Sequence, residues 1–265
     1  MVRVKVAKKR VMPGIGILGC GNIAGILAAH CAGGVEIVAC HDIDQAKTEA
    51  FAQRVGAAAF RDVRSLLEPD FPVLVEAASI QAVQQYLPLA LAAGKDVVVL
   101  SVGARTDEYF LQSIRKDAAR LGRKVHVPSG AIFGLDNLKV ARICGVDQLL
   151  LRTTKHPRAL ALTEVTDRQC VFRGKASEAV RRFPRNINVS AALGLAAALE
   201  PDVELWVDPA VTSNRHEIEA VGEFGRVNIC TDNLPSPDNP ATSYLAALSV
   251  LALLADLDDP IRVGT

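Results

Sequence analysis

The stretch GIGILGCGNIAG, residues 14–25, constrains the fold more tightly than any other part of this chain. Its first residues, GIGIL (14–18), read as a short buried strand, and NIAGILAAHCAG (22–33) reads as a helix that begins almost at once. Between them lies Gly19-x-Gly21-x-x-Ala24. Gly19 permits the tight turn, Gly21 lets backbone approach a pyrophosphate, and a small residue at Ala24 lets the helix pack on the strand. The helix N-terminus adds unpaired N–H groups and the positive end of its dipole. Gly19, Gly21, Asn22 and Ile23 are therefore the candidates for holding a dinucleotide by its phosphates.

An acid follows at the expected distance. EIVACHD (36–42) is the second strand, and Asp42 at its end is placed to accept hydrogen bonds from the adenosine ribose hydroxyls. Its charge repels a 2′-phosphate, and no arginine follows it in HDIDQ, so NAD is favoured as the cofactor. NADP enters only if a remote cation such as Arg61 folds in. Capping the next helix, over 44–55, is the competing role for Asp42, and Asp44 is better placed for it.

The alternation of strand and helix continues. A short unit, AAAFRDVRSLLEP, is followed by strands at 72–79 and 96–101 and helices at 81–94 and 106–122, the last with Thr106 as N-cap, and KVHVPS closes the series. Strands joined by helices of this length make βαβ units with right-handed crossovers and a parallel sheet. The turns EAAS (76–79) and SVGA (101–104) end strands on the ligand side, which adds Ala78 and Ser79 to the cofactor candidates. Past residue 128 the texture changes to GVDQLLLRTTKHP, QCVFRG, DVELWVDPAV, NRHEIEAVGEF and GRVNICTD, which alternate like strands with one covered face. The expected architecture is α/β: a doubly wound Rossmann sheet plus a second α+β domain with a mostly antiparallel sheet. Residues 1–128 form the dinucleotide domain and 129–234 the substrate, catalytic and dimerisation domain. Residues 235–265 return to the first through an apolar helix with Asn239 as N-cap and Pro240 in its first turn.

Composition removes several functional classes. The chain has 265 residues, 22% charged, with a net charge of +1, so it lacks the basic footprint of a nucleic-acid or anionic-membrane binder. Its six cysteines show no C-x-x-C pair, which points to reduced thiols and no metal site. The basic-then-apolar N-terminus imitates a secretory leader, but glycines at 14, 16, 19, 21 and 25 interrupt it. No apolar run reaches the ~20 residues of a membrane span. The expectation is a cytoplasmic protein acting on a small molecule.

The segment VPSGAIFGLDNL (127–138) resembles the S-G-A-I-x-G-L-D signature of L-aspartate dehydrogenases. FPRNINVS (183–190), DPAVTSNRHEIEAVGEFGR (208–226), PSPDNPATSYLAALSVLALL (235–254) and a terminal IRVGT extend the resemblance over nearly the whole chain. It implies NAD(P)-dependent oxidative deamination of L-aspartate to iminoaspartate, which yields oxaloacetate and ammonia or feeds NAD biosynthesis, together with the reverse reductive amination. It also implies a homodimer, cofactor contacts at Ala131 and Asn188, and an active-site histidine at His216. The match is poorer between about 153 and 175, around KHPRALALTEVTDRQC, which leaves the substrate open. Another NAD(P)-dependent reductase of amino-acid metabolism on the same scaffold, or a non-catalytic dinucleotide sensor, stands as the alternative.

The chemistry agrees with His216. Oxidation at Cα needs an unprotonated amine, and water must then add to the imine; a histidine of ordinary pKa serves both steps. Arg215, Glu217 and Glu219 alternate with His216, Ile218 and Ala220, so the imidazole shares the covered strand face with apolar residues. His30, His41 and His126 fall in the scaffold, and His156 is the rival. The substrate carboxylates need donors, for which Lys155, Arg158, Arg168, Arg173, Arg185 and Arg215 are available. Lys155 and Asn214 are put forward as substrate-binding.

Overall fold

The computed structural model describes residues 14–30, 35–103, 108–162, 164–183, 188–236, 239, 242–257 and 259–264. Six strands form the first sheet: β1 (Ile15–Leu18), β2 (Ile37–His41), β3 (Ala58–Ala59), β4 (Val73–Glu76), β5 (Asp96–Val99) and β6 (Val125–His126). Their order is β3-β2-β1-β4-β5-β6 and every neighbouring pair is parallel. This is the Rossmann order, with the strand sequence reversing direction beside β1. All residues of β1 and β4 are buried. A central parallel strand is covered on both faces, so it reads as an unbroken apolar run.

Helices α1 (Asn22–His30), α2 (Gln45–Val55), α3 (Val63–Leu67), α4 (Ile80–Ala92) and α5 (Glu108–Leu121) connect these strands. Local chemistry sets several of their ends. Asp44 caps α2 by accepting from the N–H groups of Ala46 and Lys47, and Gly56 stops that helix with φ of 74°. Asp62 caps α3 and Ser79 caps α4. Thr106 lies outside the described residues.

The second sheet has the order β11-β10-β7-β9-β8. It contains β7 (Gln148–Lys155), β8 (Gln169–Lys175), β9 (Asp202–Val207), β10 (Asn214–Gly222) and β11 (Gly225–Asn233). β7 and β9 run parallel, and the other neighbours are antiparallel. The sheet is accompanied by α6 (Ala141–Cys144), α7 (Ala176–Arg182) and α8 (Asn188–Ala197). One face carries Leu149, Leu151, Val203, Leu205, Ile218 and Ala220, which join Leu193 and Ala196 of α8 in a buried cluster. Each fully buried leucine there contributes about 2 kcal/mol by leaving water.

The final helix, α9, spans Tyr244–Leu257. It begins five residues later than the expected cap: Asn239 sits in a turn, donating to the Ser236 carbonyl and accepting from the Thr242 N–H. Pro240 lies outside the described residues. Two compact units emerge from the packing. One gathers the described residues of Met1–Val99, Ile114–His126 and Leu251–Pro260; the other gathers Leu100–Ser113, Val127–Val250 and Ile261–Thr265. The described residues of 251–260 group with the first unit and those of 235–250 with the second. Within the second unit Ser236 N–H reaches the Thr242 carbonyl, Tyr244 N–H reaches that of Leu234, and the Ser249 hydroxyl accepts from Gly130. No helix among the described residues is long and apolar enough to cross a membrane.

Candidate active site

The glycine loop is built as its spacing requires. Gly19 has φ of +98°, and a Cβ there would lie 2.7 Å from the Ala77 carbonyl oxygen and 2.8 Å from the Ala78 nitrogen. Only glycine allows the β1 exit to run this close to the β4 exit. A Cβ on Gly21 would meet nothing within 4 Å, so the loop is open on that side, and the first turn of α1, with Asn22 and Ile23, follows directly. These features fit a dinucleotide pyrophosphate held by backbone N–H groups.

Asp42 closes the loop onto β2. Its carboxylate accepts from the Cys20 N–H at 2.8 Å and the Asp44 N–H at 2.9 Å. Two backbone donors leave lone pairs for ribose hydroxyls, since a carboxylate offers about four acceptor sites. Helix capping falls to Asp44 alone. Ala78 donates its N–H to Glu76, and the Ser79 hydroxyl accepts from Ala82 as the α4 cap. Ser79 is thereby committed to its helix, with its backbone beside the turn that touches Gly19.

His216 lies on the covered face of β10 and is 4% exposed. It pairs across the strands with Thr153 of β7, and the Thr153 hydroxyl is 2.9 Å from its Nδ1. Burial, with a smaller contribution from the Lys155 charge, pushes the imidazole down to about 3. The expectation of an untuned, near-neutral pKa is therefore corrected: desolvation disfavours the cation, and the ring stays neutral through the ordinary pH range. When Nδ1–H donates to Thr153, Nε2 presents a lone pair and is the proton acceptor.

Lys155 ends the same strand as Thr153 and, two residues on, shares its face. It is 6% exposed, and burial pushes its amine down to about 8. Asn214, two residues before His216 on β10, is also buried on this face. One end of the sheet face is thus polar, with Thr153, Lys155, Asn214 and His216, while its remainder is the apolar cluster of Leu149, Leu151, Ile218 and Ala220.

Three of the arginine candidates point elsewhere. Arg173 pairs with Glu204 at 3.0 Å and Arg215 with Asp232 at 3.5 Å, both from strand positions that alternate away from His216. Arg168 stacks over the Trp206 ring at 5.0 Å, and Trp206 likewise points to the far face. Arg158 donates its backbone N–H to His156 Nδ1, which makes His156 the cap of a short 3₁₀ turn rather than a rival base. Arg185 lies outside the described residues. Lys155 is a candidate cation on the face of His216.

Comparison with known proteins now bears directly on this arrangement. Residues 14–128 match the model of the homoserine dehydrogenase NAD-binding domain, and 136–257 match that of the aspartate dehydrogenase C-terminal domain. The L-aspartate dehydrogenase of Methanospirillum hungatei is 50% identical over 251 residues, covering 95% of this chain and 99% of that protein. The chain belongs to the L-aspartate dehydrogenase family. The L-aspartate dehydrogenase of Methanothermobacter thermautotrophicus is 42% identical over 254 residues, with 95% and 98% covered. The crystal structure of the Thermotoga maritima aspartate dehydrogenase superposes with a TM-score of 0.81 at 28% identity, covering 95% of this chain and 99% of that one. The chain is accordingly an oxidoreductase with a nicotinamide-dinucleotide fold.

The family motifs have structural reasons here. In SGAI, Gly130 takes φ of +67° and donates to the Ser249 hydroxyl, and the Ala131 carbonyl accepts from Asn233 Nδ2 at 2.7 Å. Asn188 opens α8 and accepts from the Gly103 N–H at 3.3 Å. Ala131, Asn188 and His216 are thus fixed within the second unit by hydrogen bonds. Thr153, Thr231 and Asn233 were missed in the sequence; all three lie on the His216 face, and the register of β10 against its two neighbours reveals them.

Proposed function

We propose that the chain catalyses oxidative deamination of L-aspartate to iminoaspartate, which water converts to oxaloacetate and ammonia, and the reverse reductive amination of oxaloacetate with ammonium. The observation that carries this reading is the buried group of Thr153, His216, Lys155 and Asn214 on one sheet face. A bound nicotinamide dinucleotide supplies the two-electron acceptor at Cα. His216, held by Thr153, takes a proton from the substrate amine, passes it to solvent, and can then take one from the water that adds to the imine. A dicarboxylate beside the ring favours its cation and raises the imidazole pKa from the value set by burial. Lys155 offers the charge for one carboxylate, and Asn214 offers an amide donor within the same dry surface. Low dielectric strengthens both contacts.

The first unit takes the dinucleotide through Gly19, Gly21, Asn22 and Ile23, with Ala78 and Ser79 lining the β4 exit. The family resemblance adds Ala131 and Asn188 as cofactor-contacting positions. Asp42 selects NAD over NADP through its ribose-side carboxylate. Calorimetry should show tighter binding of NADH than NADPH, and Asp42→Ala should weaken NADH more than NADPH, because alanine also removes the repulsion of a 2′-phosphate. Tighter NADPH binding by the unmodified protein would overturn this role. The family resemblance supports a homodimer, a cytoplasmic setting and a supply of iminoaspartate to NAD biosynthesis.

The decisive experiment follows NADH oxidation by the purified protein with oxaloacetate plus ammonium, beside pyruvate and 2-oxoglutarate. Turnover confined to oxaloacetate is expected. Equal rates with pyruvate, or tight NADH binding without turnover, would replace this reading with another reductase or a sensor.

A further inference from the structure

Thr231 of β11 is buried, at 7% exposure, and its hydroxyl has no hydrogen-bond partner. Nothing in the sheet asks for that hydroxyl. Valine has nearly the same shape, suits a strand equally well and leaves no polar atom to desolvate. The register gives the hydroxyl a context. Thr231 pairs with His216, and His216 pairs with Thr153, so the three side chains form one row across β11, β10 and β7 on a single face. Thr153 is engaged with Nδ1 of the ring. In the adjacent row Asn214 pairs with Asn233, whose amide is engaged with the Ala131 carbonyl.

Thr154 and Ser243 also carry buried hydroxyls without partners. Thr154 alternates to the opposite face of β7, and Ser243 lies in the segment leading to α9. Thr231 is the one of the three that flanks the proton-transfer group.

We infer that the Thr231 hydroxyl is a substrate ligand, donating to an oxygen of the carboxylate attached to the reacting carbon. This rests on the proposed deamination of a dicarboxylic amino acid. The geometry favours the α-carboxylate. His216 works on the nitrogen or oxygen bonded to Cα, and directly opposed residues of an antiparallel pair stand about 5 Å apart. Side chains that close can converge on a nitrogen and a carboxylate carried by one carbon. Lys155, farther along the face, is then left for the distal carboxylate. A neutral hydroxyl suits the α-carboxylate because it directs without adding a second charge to a surface already holding a buried amine.

The test uses Thr231→Val, which keeps the shape, and Thr231→Ser, which keeps the hydroxyl. A hydrogen bond to a charged group accounts for roughly a ten- to hundredfold change. The expected result is a KM for L-aspartate and for oxaloacetate raised by that factor in Thr231→Val, with kcat changed much less. NADH affinity should not change, and the melting temperature should be equal or higher, since an unpaired buried hydroxyl has gone. Thr231→Ser should return KM to within a fewfold of the original. A Thr231→Val protein that folds and keeps its KM overturns the assignment, as does one whose loss of activity is matched by a fall in melting temperature and is not rescued by serine. Turnover of oxaloacetate with ammonium by the unmodified protein is measured alongside. Its presence with an unchanged KM in Thr231→Val fails the Thr231 assignment alone; its absence fails both the assignment and the functional reading beneath it.

Discussion

Replacing His216 with alanine should lower turnover by roughly 10²–10⁴-fold, the usual contribution of a positioned acid–base group. NADH affinity should hold, because the dinucleotide is assigned mainly to residues of the other unit. Some loss of melting temperature is expected as well: alanine leaves a small cavity and strands the Thr153 hydroxyl that now meets Nδ1 at 2.9 Å. Activity is therefore read per folded molecule. A folded, NADH-binding and inactive variant supports proton transfer at His216, and a destabilised variant with normal activity in its folded fraction sinks it. The pH profile gives a second reading. Burial pushes the imidazole down to about 3, so the free enzyme should keep His216 neutral as pH falls from 7.5 to 5. A kcat/KM limb centred near 6.5 that vanishes in the alanine variant would show a ring far less desolvated than this one.

The same burial carries a stability consequence with a definite sign. The folded pKa is lowered, so below about 6.5 the unfolded chain binds a proton at this residue that the folded chain does not. Stability contributed at neutral pH is then lost as pH falls, by up to about 1.4 kcal/mol per unit.

Much of this arrangement was legible in the sequence because local rules and tertiary demands agree. The glycine loop announces itself because Gly19 and Gly21 answer to backbone geometry, which does not depend on distant residues. The alternation through Arg215, His216, Glu217 and Ile218 fixed the face of His216 before any partner was known, since strand period is a backbone property. Roles that depend on register stayed hidden. Thr153 and Thr231 look like ordinary strand threonines until β10 is set against both neighbours. Half of that register was in fact available: Gly222 pairs with Gly225 around the two-residue turn at Glu223 and Phe224, and each step back from one meets a step forward from the other, bringing His216 opposite Thr231. The β7 partner has no such local marker, and the Thr153 pairing is purely tertiary. The pKa expectation failed for a related reason. Periodicity places a histidine on a covered face, but how completely it is dried depends on every element packed around it.

Lys155 offers the test in which function and stability should move in opposite directions. Lys155→Met keeps the length and apolar stem of the side chain and removes only its charge. If the amine holds a substrate carboxylate, kcat/KM for L-aspartate and oxaloacetate should fall roughly 10²–10³-fold, as for truncation of one member of a buried charge pair. NADH affinity should be unaffected. In the unmodified protein kcat/KM should decline above about pH 8 as the buried ammonium loses its proton, and the methionine variant should lack that limb. The stability sign follows from the same lowering, whose cause is burial. Between about 8 and the ordinary lysine value of 10.5, the unfolded chain holds a proton that the folded chain has released. Stability of the unmodified protein should therefore gain a contribution as pH rises through that window, by up to about 1.4 kcal/mol per unit. Below about pH 8 the charged amine is buried at a cost, so Lys155→Met should melt higher than its parent at pH 7 while turning over far less dicarboxylate. A methionine variant that loses stability and keeps its kcat/KM would make Lys155 a structural residue and move the carboxylate site elsewhere on the sheet.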